Sequence, residues 1–431
     1  MSSLKIRHFG PIKEGFKEND GWLSVKKTNI FIGNQGSGKS TLAKVISTLT
    51  WLEKSLVQKK ITIDETKEIN FLKELFEYQN LRSYFKNETE ISYKGDVYTF
   101  NYSKNNFSLI EENIDVIYSI PKVMYIPAER NFVAAVSEPS KLEYLPKPLF
   151  TFLEEYERSK KELNSSISIP INDLKYSYQK ESGKSMIIGE GFELNLYEAS
   201  SGFQSVIPLY LVSKNLAEGI ERKENKSFSA ISLKEKDTID SEMMKILNRE
   251  LANFTKKNPY KNIDKDEYFK NIINYLNQST DFNRQITILN VQYNSFINIV
   301  EEPEQNLFPN SQWEILKKLV EFNNLKEANK LVLTTHSPYL LNDITLLVKG
   351  YQLQKKMNGN LELEKELNSK ISLNSTINPD ELAIYELDET DGSISLLEDY
   401  KGLPSDENYL NDSLGYFNEL YAELLDLEDK I

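Results

Sequence analysis

The chain has 431 residues, no cysteine, a net charge of −13, and 27% charged against 39% hydrophobic residues. A cysteine-free chain excludes disulfides, thiolate zinc sites and cysteine nucleophiles, and no apolar run approaches the ~18 residues of a membrane span. The N-terminus, MSSLKIRHFG, lacks the apolar centre of a signal peptide, so a cytoplasmic protein is expected. Residues 381–431 hold 15 acidic and 2 basic side chains, which leaves 50 of each sign in the first 380. The body is thus neutral, and nucleic acid stays open as a partner.

Ser2 to Phe9 and Trp22 to Ile32 read as two strands flanking a Gly10-Pro11 turn. The second strand runs into Gly33-Asn34-Gln35-Gly36-Ser37-Gly38-Lys39-Ser40, and a helix-compatible stretch, Thr41 to Leu56, follows. This is G-x-x-x-x-G-K-[ST] with a strand before it and a helix after it. Glycines let successive backbone N–H groups point inward at phosphate oxygens, and the helix adds its positive end. Lys39 suits the β- and γ-phosphates of ATP and the Ser40 hydroxyl suits Mg²⁺. Gly33, Asn34, Gly36, Ser37, Gly38, Lys39, Ser40 and Thr41 are therefore the expected ATP-binding set.

Ile69 to Tyr84 has near-helical apolar spacing, and Glu90 to Ile110 alternates as a hairpin or three-stranded meander. Lys122 to Ile126 reads as a buried strand ending in Pro127-Ala128-Glu129-Arg130-Asn131. A lobe over 132–199 follows, with a helix from Leu149 to Leu163 and alternating strands from Leu174 to Tyr197. Ser200-Ser201-Gly202-Phe203-Gln204-Ser205 leads into an apolar helix, Val206 to Leu216, with Pro208 in its first turn. Residues 225–285 are polar and read as a helical insertion, with pieces near Met243 to Phe254 and Tyr268 to Leu276. The strand Ser295 to Val300 ends in Glu301-Glu302-Pro303-Glu304, the helix Ser311 to Phe322 follows, and the strand Lys330 to Thr334 ends in Thr335-His336-Ser337-Pro338. These βα alternations predict a largely parallel sheet with helices on its faces. A head over 1–350 and an acidic region over 351–431 are expected. The latter contains a hairpin around Asp391-Gly392 and a last helix whose stripe of Leu410, Leu414, Phe417, Tyr421 and Leu424 should dock onto its own domain.

A P-loop ATPase needs carboxylates opposite its lysine, one for Mg²⁺ and one for the attacking water. Glu301 and Glu302 meet that need, although an acidic pair after an apolar strand is equally a solvated strand end. His336 follows the next strand, where an imidazole can contact the γ-phosphate; otherwise it is a turn histidine. Ser201 and Gly202 open a helix whose N-terminus suits an anion, or is simply capped.

Four motifs stand in one order: Walker A at 33–40, a signature-like SSGFQ at 200–204, Walker B FINIVEEPE at 296–304 and TTHSP at 334–338. The chain resembles the ABC-type ATPases in this order. More narrowly, through YIPAER at 125–130 and EEPEQNLFP at 301–309, it resembles the OLD-like AAA-family branch found in bacterial anti-phage systems. The implied fold is α/β, a P-loop ABC-type ATPase head with a mixed sheet, an antiparallel β portion and helical insertions. The resemblance implies heads that dimerise head to tail, with Ser201 and Gly202 on the γ-phosphate of the partner's nucleotide. It also implies Glu301 and Ser40 at Mg²⁺, and Glu302 and His336 as the catalytic pair.

The pattern has departures. Phe203 replaces the second signature glycine, Glu301 stands where many relatives have Asp, and Glu129 or Arg130 occupies the neighbourhood of the Q-loop glutamine. With no D-x-D after residue 340, no nuclease centre is expected in this chain. The implied role is the sensor or regulatory ATPase of a two-component, PARIS-like or Septu-like system. It would hold a separate effector nuclease and answer a phage-encoded trigger. The competing readings are a compact RecF-like DNA-binding ATPase and an ABC transporter ATPase. The transporter is disfavoured by the separated signature and the missing Q-loop glutamine.

Overall fold

The structure, a computed structural model, describes residues 2–112, 118–136, 144–224, 251–256, 265–278, 293–357 and 359–428, together with 247 and 249. The chain opens with strands β1 (Ser2–Phe9), β2 (Gly15–Phe16), β3 (Leu23–Val25) and β4 (Thr28–Gly33), and the glycine loop leads into helix α1 (Lys39–Val57). The expected single strand from Trp22 to Ile32 is thus two. Asn29 explains the break: its side-chain carbonyl accepts from Lys26 N at 2.8 Å and its amide donates to Lys26 O at 2.7 Å. This local ring turns the chain from one sheet into another.

A short helix α2 (Phe71–Glu77) precedes β5 (Phe85–Lys94), β6 (Tyr98–Ser103) and β7 (Asn106–Glu111). The helix is shorter than the apolar spacing over 69–84 predicts, whereas the three-stranded meander forms as expected. These strands complete an antiparallel sheet in the order β3-β1-β5-β6-β7. Next come β8 (Pro121–Ile126), a single turn α3 (Phe132–Ala135), α4 (Lys147–Glu162), and β9 (Ile167–Ser168), β10 (Lys175–Gln179), β11 (Lys184–Gly189) and β12 (Phe192–Asn195), which form a four-stranded sheet of their own. Phe152, Tyr156, Tyr176 and Ile187 of this lobe share one apolar core with Ile30 and Val300, so the lobe packs onto the central sheet.

Helix α5 (Ser201–Glu224) starts five residues before the expected Val206 and places Pro208 in its interior. Its first turn is the Ser-Gly-Phe-Gln stretch itself. Most of the expected 225–285 insertion lies outside the described residues. Within it, α6 (Lys265–Gln278) brings Tyr268 and Tyr275 to 5.7 and 5.2 Å from the Phe254 ring. The remaining elements are β13 (Ser295–Glu301), α7 (Pro309–Asn324), β14 (Lys330–Thr334), α8 (Pro338–Lys356), α9 (Leu361–Lys370), β15 (Leu382–Leu387), β16 (Ser393–Leu396), β17 (Asp399–Tyr400), β18 (Leu403–Pro404) and α10 (Tyr409–Glu428).

The central sheet runs β2-β16-β15-β4-β14-β13-β8. Strands β15, β4, β14, β13 and β8 are mutually parallel, and β16 is antiparallel to β15. Burial on both faces follows from that plan. Ile30, Ile32 and Leu333 face one core with α5, α7 and α8, whereas Phe31, Ile299 and Val332 face the other with α1 and the antiparallel sheet. Since β15 pairs with β4 from Leu382 to Leu387, the hairpin assigned to a separate acidic region is part of this sheet. Helix α10 corrects a second expectation. Its start is pinned by Leu410 in the core and by Tyr409 N donating to Glu386 at 3.0 Å. Beyond it Phe417 and Tyr421 are 65% and 63% exposed and Leu424 is likewise solvent-facing, so past Leu410 the stripe is not covered by the described residues. The Leu414 side chain lies outside the described residues.

Candidate functional site

Parallel strands deliver their C-terminal ends to one edge of the sheet, which is where α/β folds place ligands. Here β4 ends in the glycine loop, β13 in Glu301 and the neighbouring β14 in Thr334-Thr335-His336. The register sets Glu301 beside Thr334 and Thr334 beside Phe31, so three expected motifs converge.

The loop depends on its glycines. Gly33, Gly36 and Gly38 have φ of 139°, 79° and 107°, and a Cβ on Gly33 would come within 2.3 Å of Leu387 O. Lys39 Nζ donates to Gly33 O and Asn34 O, both at 2.8 Å, and lies 3.5 Å from His336 Nδ1. Burial lowers its ammonium to about 8, against the raising pull of Glu302, Glu304, Glu389 and Glu301. Ser37 Oγ is buried with no partner among the described residues, and the Ser40 side chain is exposed. Asn34 is held from across the fold, its amide donating to Glu389 Oε1 at 2.8 Å.

The acidic cluster is held just as tightly. Glu302 has φ 44°, a left-handed conformation that is strained for a side-chain-bearing residue. Three contacts hold it: Glu302 N donates to Thr334 O at 2.9 Å, and Glu302 O accepts from Gln305 N at 2.9 Å and from Arg130 Nη2 at 2.6 Å. Arg130 Nη1 donates to Glu301 O, also at 2.6 Å, so one fully buried guanidinium grips consecutive carbonyls. That burial lowers its pKa to about 10, with the surrounding glutamates opposing. His336 Nε2 lies 3.4 Å from Glu302 Oε1, and this contact holds the Glu302 carboxyl below its ordinary range. Glu304 Oε1 accepts from Thr335 Oγ1 and His336 N, both at 2.8 Å, which fixes the histidine backbone. Burial raises its carboxyl.

Glu301 is buried. Its Oε2 lies 3.4 Å from Ala128 N, and its Oε1 makes no hydrogen bond among the described residues, although the buried Tyr125 hydroxyl stands against the carboxylate. An unpartnered buried carboxylate oxygen together with an exposed serine hydroxyl fits Mg²⁺, which takes one or two protein oxygens and leaves the rest to phosphate and water. Among the described residues no group of three or more His, Asp or Glu forms a closed metal cage.

Ser201 and Gly202 stand apart from this cluster. Ser201 is exposed, and a Cβ on Gly202 would meet Asn306 O at 2.8 Å. Among the described residues no hydrogen bond joins either to residues 33–41. The α5 start is instead tied to the chain after Glu304, with Ser205 Oγ 3.5 Å from Gln305 Oε1. Lys39, Glu302 and His336 are thus brought together, Glu301 lies beside them on β13, and the signature pair is elsewhere. Sequence reasoning left Arg130 without a role and missed Glu304 and Glu389. Arg130 lay inside YIPAER and Glu304 inside EEPE, whereas nothing local marks Glu389, 355 positions from Asn34.

No protein-family profile and no curated protein matches the chain. Solved structures do. The SMC head domain from Thermotoga maritima aligns over 92% of this chain and 98% of its own at 7% identity and TM-score 0.37. An ATP-binding cassette in a dimeric post-hydrolysis state, bound to ADP and Pi, aligns over 93% and 100% at 11% identity and TM-score 0.28. At these scores both are distant. The strand order and the glycine loop of this chain define its class. It has an α/β fold whose largely parallel central sheet carries a P-loop-type glycine loop between β4 and α1. No helix among the described residues is long and apolar enough to cross a membrane.

Proposed function

We propose that the protein binds Mg²⁺·ATP and hydrolyses it slowly. The observation that carries this reading is the convergence of Lys39, His336 and Glu302 within 3.5 Å of one another in series, beside the glycine loop. Lys39 leaves the loop carbonyls for the β- and γ-phosphates, and Gly33 to Thr41 supply N–H donors and hydroxyls. Ser40 and Glu301 would hold Mg²⁺, which would supply positive charge to the phosphate groups. Glu302, kept ionised by His336, accepts a hydrogen bond from the attacking water and aims it in line. Water oxygen bonds to the γ-phosphorus, the bond to the β-bridging oxygen breaks, ADP leaves, and the water's proton passes to the Glu302 carboxylate. His336 keeps its Nε2 on the Glu302 carboxylate and so fixes the direction in which that carboxylate meets the water.

Lys39→Ala should lose ATP binding. Glu302→Gln should retain binding and lose ~10²- to 10⁴-fold in hydrolysis. Parental hydrolysis in Glu302→Gln would move the water-orienting role to Glu301 or Glu304.

The finer role is that of a regulatory ATPase that dimerises head to tail and controls a separate effector nuclease on a phage-encoded trigger. It is supported by the YIPAER and EEPEQNLFP stretches, by the lack of a D-x-D sequence after residue 340, and by an exposed Ser201 free to meet another copy. Expression with the neighbouring gene's product tests it. Toxicity should need both proteins and infection, and nuclease activity in the purified chain alone would contradict it.

A further inference from the structure

A cavity of about 390 Å³ lies between α1, α4, the edge strand β8 and the chain just after α2, away from the glycine loop. Its size is within the range of small-molecule sites. Lys54 of α1 reaches into it while only 6% exposed, yet among the described residues its ammonium makes no hydrogen bond and has no carboxylate within ion-pair distance. It lies 4.7 Å from the centre of the Tyr293 ring. Burial lowers it to about 8, and the cations Lys60 and Lys122 add to that lowering. Lys122 already has a carboxylate, Glu155 at 2.6 Å. Buried charges are ordinarily paired because desolvation costs several kcal/mol, so an unmatched ammonium on a cavity wall marks the place of an anion. A second buried group is also unanswered: Gln79 Oε1, in a residue 2% exposed, has no hydrogen-bond donor among the described residues. At the rim, Trp51 and Tyr78 leave aromatic faces partly open.

We propose that this cavity binds a small anion carrying a flat, N–H-bearing ring, a nucleoside monophosphate in size and chemistry, with its phosphate on Lys54 and its ring between Trp51 and Tyr78. The ring N–H groups answer Gln79, and the rim aromatics add stacking. The site is separate from the P-loop, but it shares α1, whose first residues are Lys39 and Ser40.

The full chain, saturated with Mg²⁺ and a non-hydrolysable ATP analogue, should be titrated with AMP, GMP, CMP, UMP and inorganic phosphate. Calorimetry and tryptophan fluorescence would be read in parallel. At least one monophosphate should bind and quench fluorescence. Lys54→Met should weaken it 10-fold or more, and Trp51→Phe should remove the quench while the heat remains. No binding at about 1 mM, undiminished binding in Lys54→Met, or phosphate alone binding as tightly would overturn the proposal. Should Lys54→Met fail to fold, hydrogen exchange on the parental chain decides. Slowed exchange across 47–56 and 76–81 supports the cavity, and slowing confined to 33–41 contradicts it. These readouts locate the ligand whether or not the P-loop accepts ATP.

Discussion

Arg130 illustrates how the site is held at the scale of single residues. A buried guanidinium is costly, and it persists here because two of its donors meet the carbonyls of Glu301 and Glu302 at 2.6 Å. A fork that spans consecutive carbonyls fixes the left-handed turn that aims the Glu302 carboxylate, and a lysine point charge cannot do the same. Arg130→Lys should therefore lower kcat by about 10- to 100-fold and leave the KM for ATP nearly unchanged. A matched rise in KM would show that Arg130 shapes the binding loop instead. Glu53, inside α1, offers a pH test. It is buried, accepts from Val97 N at 2.8 Å and Tyr98 N at 3.2 Å, and is raised to about 7 chiefly by burial. A carboxyl raised on folding favours the fold while protonated. Its contribution is complete below about pH 4.5 and is lost as pH rises through about 7. Glu53→Gln keeps an oxygen for both N–H donors and removes the charge. It should be more stable than the parent at pH 8, by up to about 3 kcal/mol, and the two should converge near pH 4.5 in denaturant melts.

At the scale of elements, the legible parts were those whose signal is local. The glycine loop, β8, β13, β14 and the meander are short apolar or alternating runs bounded by turn residues, and they form where their spacing puts them. The missed boundaries have non-local or side-chain causes. Asn29 splits one apparent strand, Pro208 sits in a helix that begins at Ser201, and β15 joins β4 across more than 350 positions. The site divides the same way. That Lys39, Glu302 and His336 would lie together was expected from motif spacing, whereas Glu389 and the Arg130 grip exist only once strands are placed side by side. Helix α10 shows the limit of periodicity, because an apolar stripe says that a face can be covered and not by what. Replacing Phe417, Tyr421 and Leu424 together by lysine should leave the melting temperature and ATP hydrolysis near parental values, since exposed positions typically contribute within about 0.5 kcal/mol each. A fall of several kcal/mol would mean that the face is covered within its own chain.

At the scale of the molecule, the central sheet carries the P-loop, the acidic cluster and the histidine on one edge, while α5 presents Ser201 to solvent. The proposed function requires a working site that unites the P-loop edge of one copy with the α5 start of another. Substitution at Gly202 is a poor probe, since any Cβ there meets Asn306 O at 2.8 Å and tests packing. Ser201→Arg changes an exposed position instead. The most direct measurement is ATP hydrolysis by an equal mixture of Lys39→Ala and Ser201→Arg chains, with heterodimers verified by native mass spectrometry. Each variant alone should be inactive. Random pairing leaves about a quarter of the composite sites whole, and the mixture should recover about that share of parental activity. Heterodimers that form and stay as inactive as either variant would contradict the shared site.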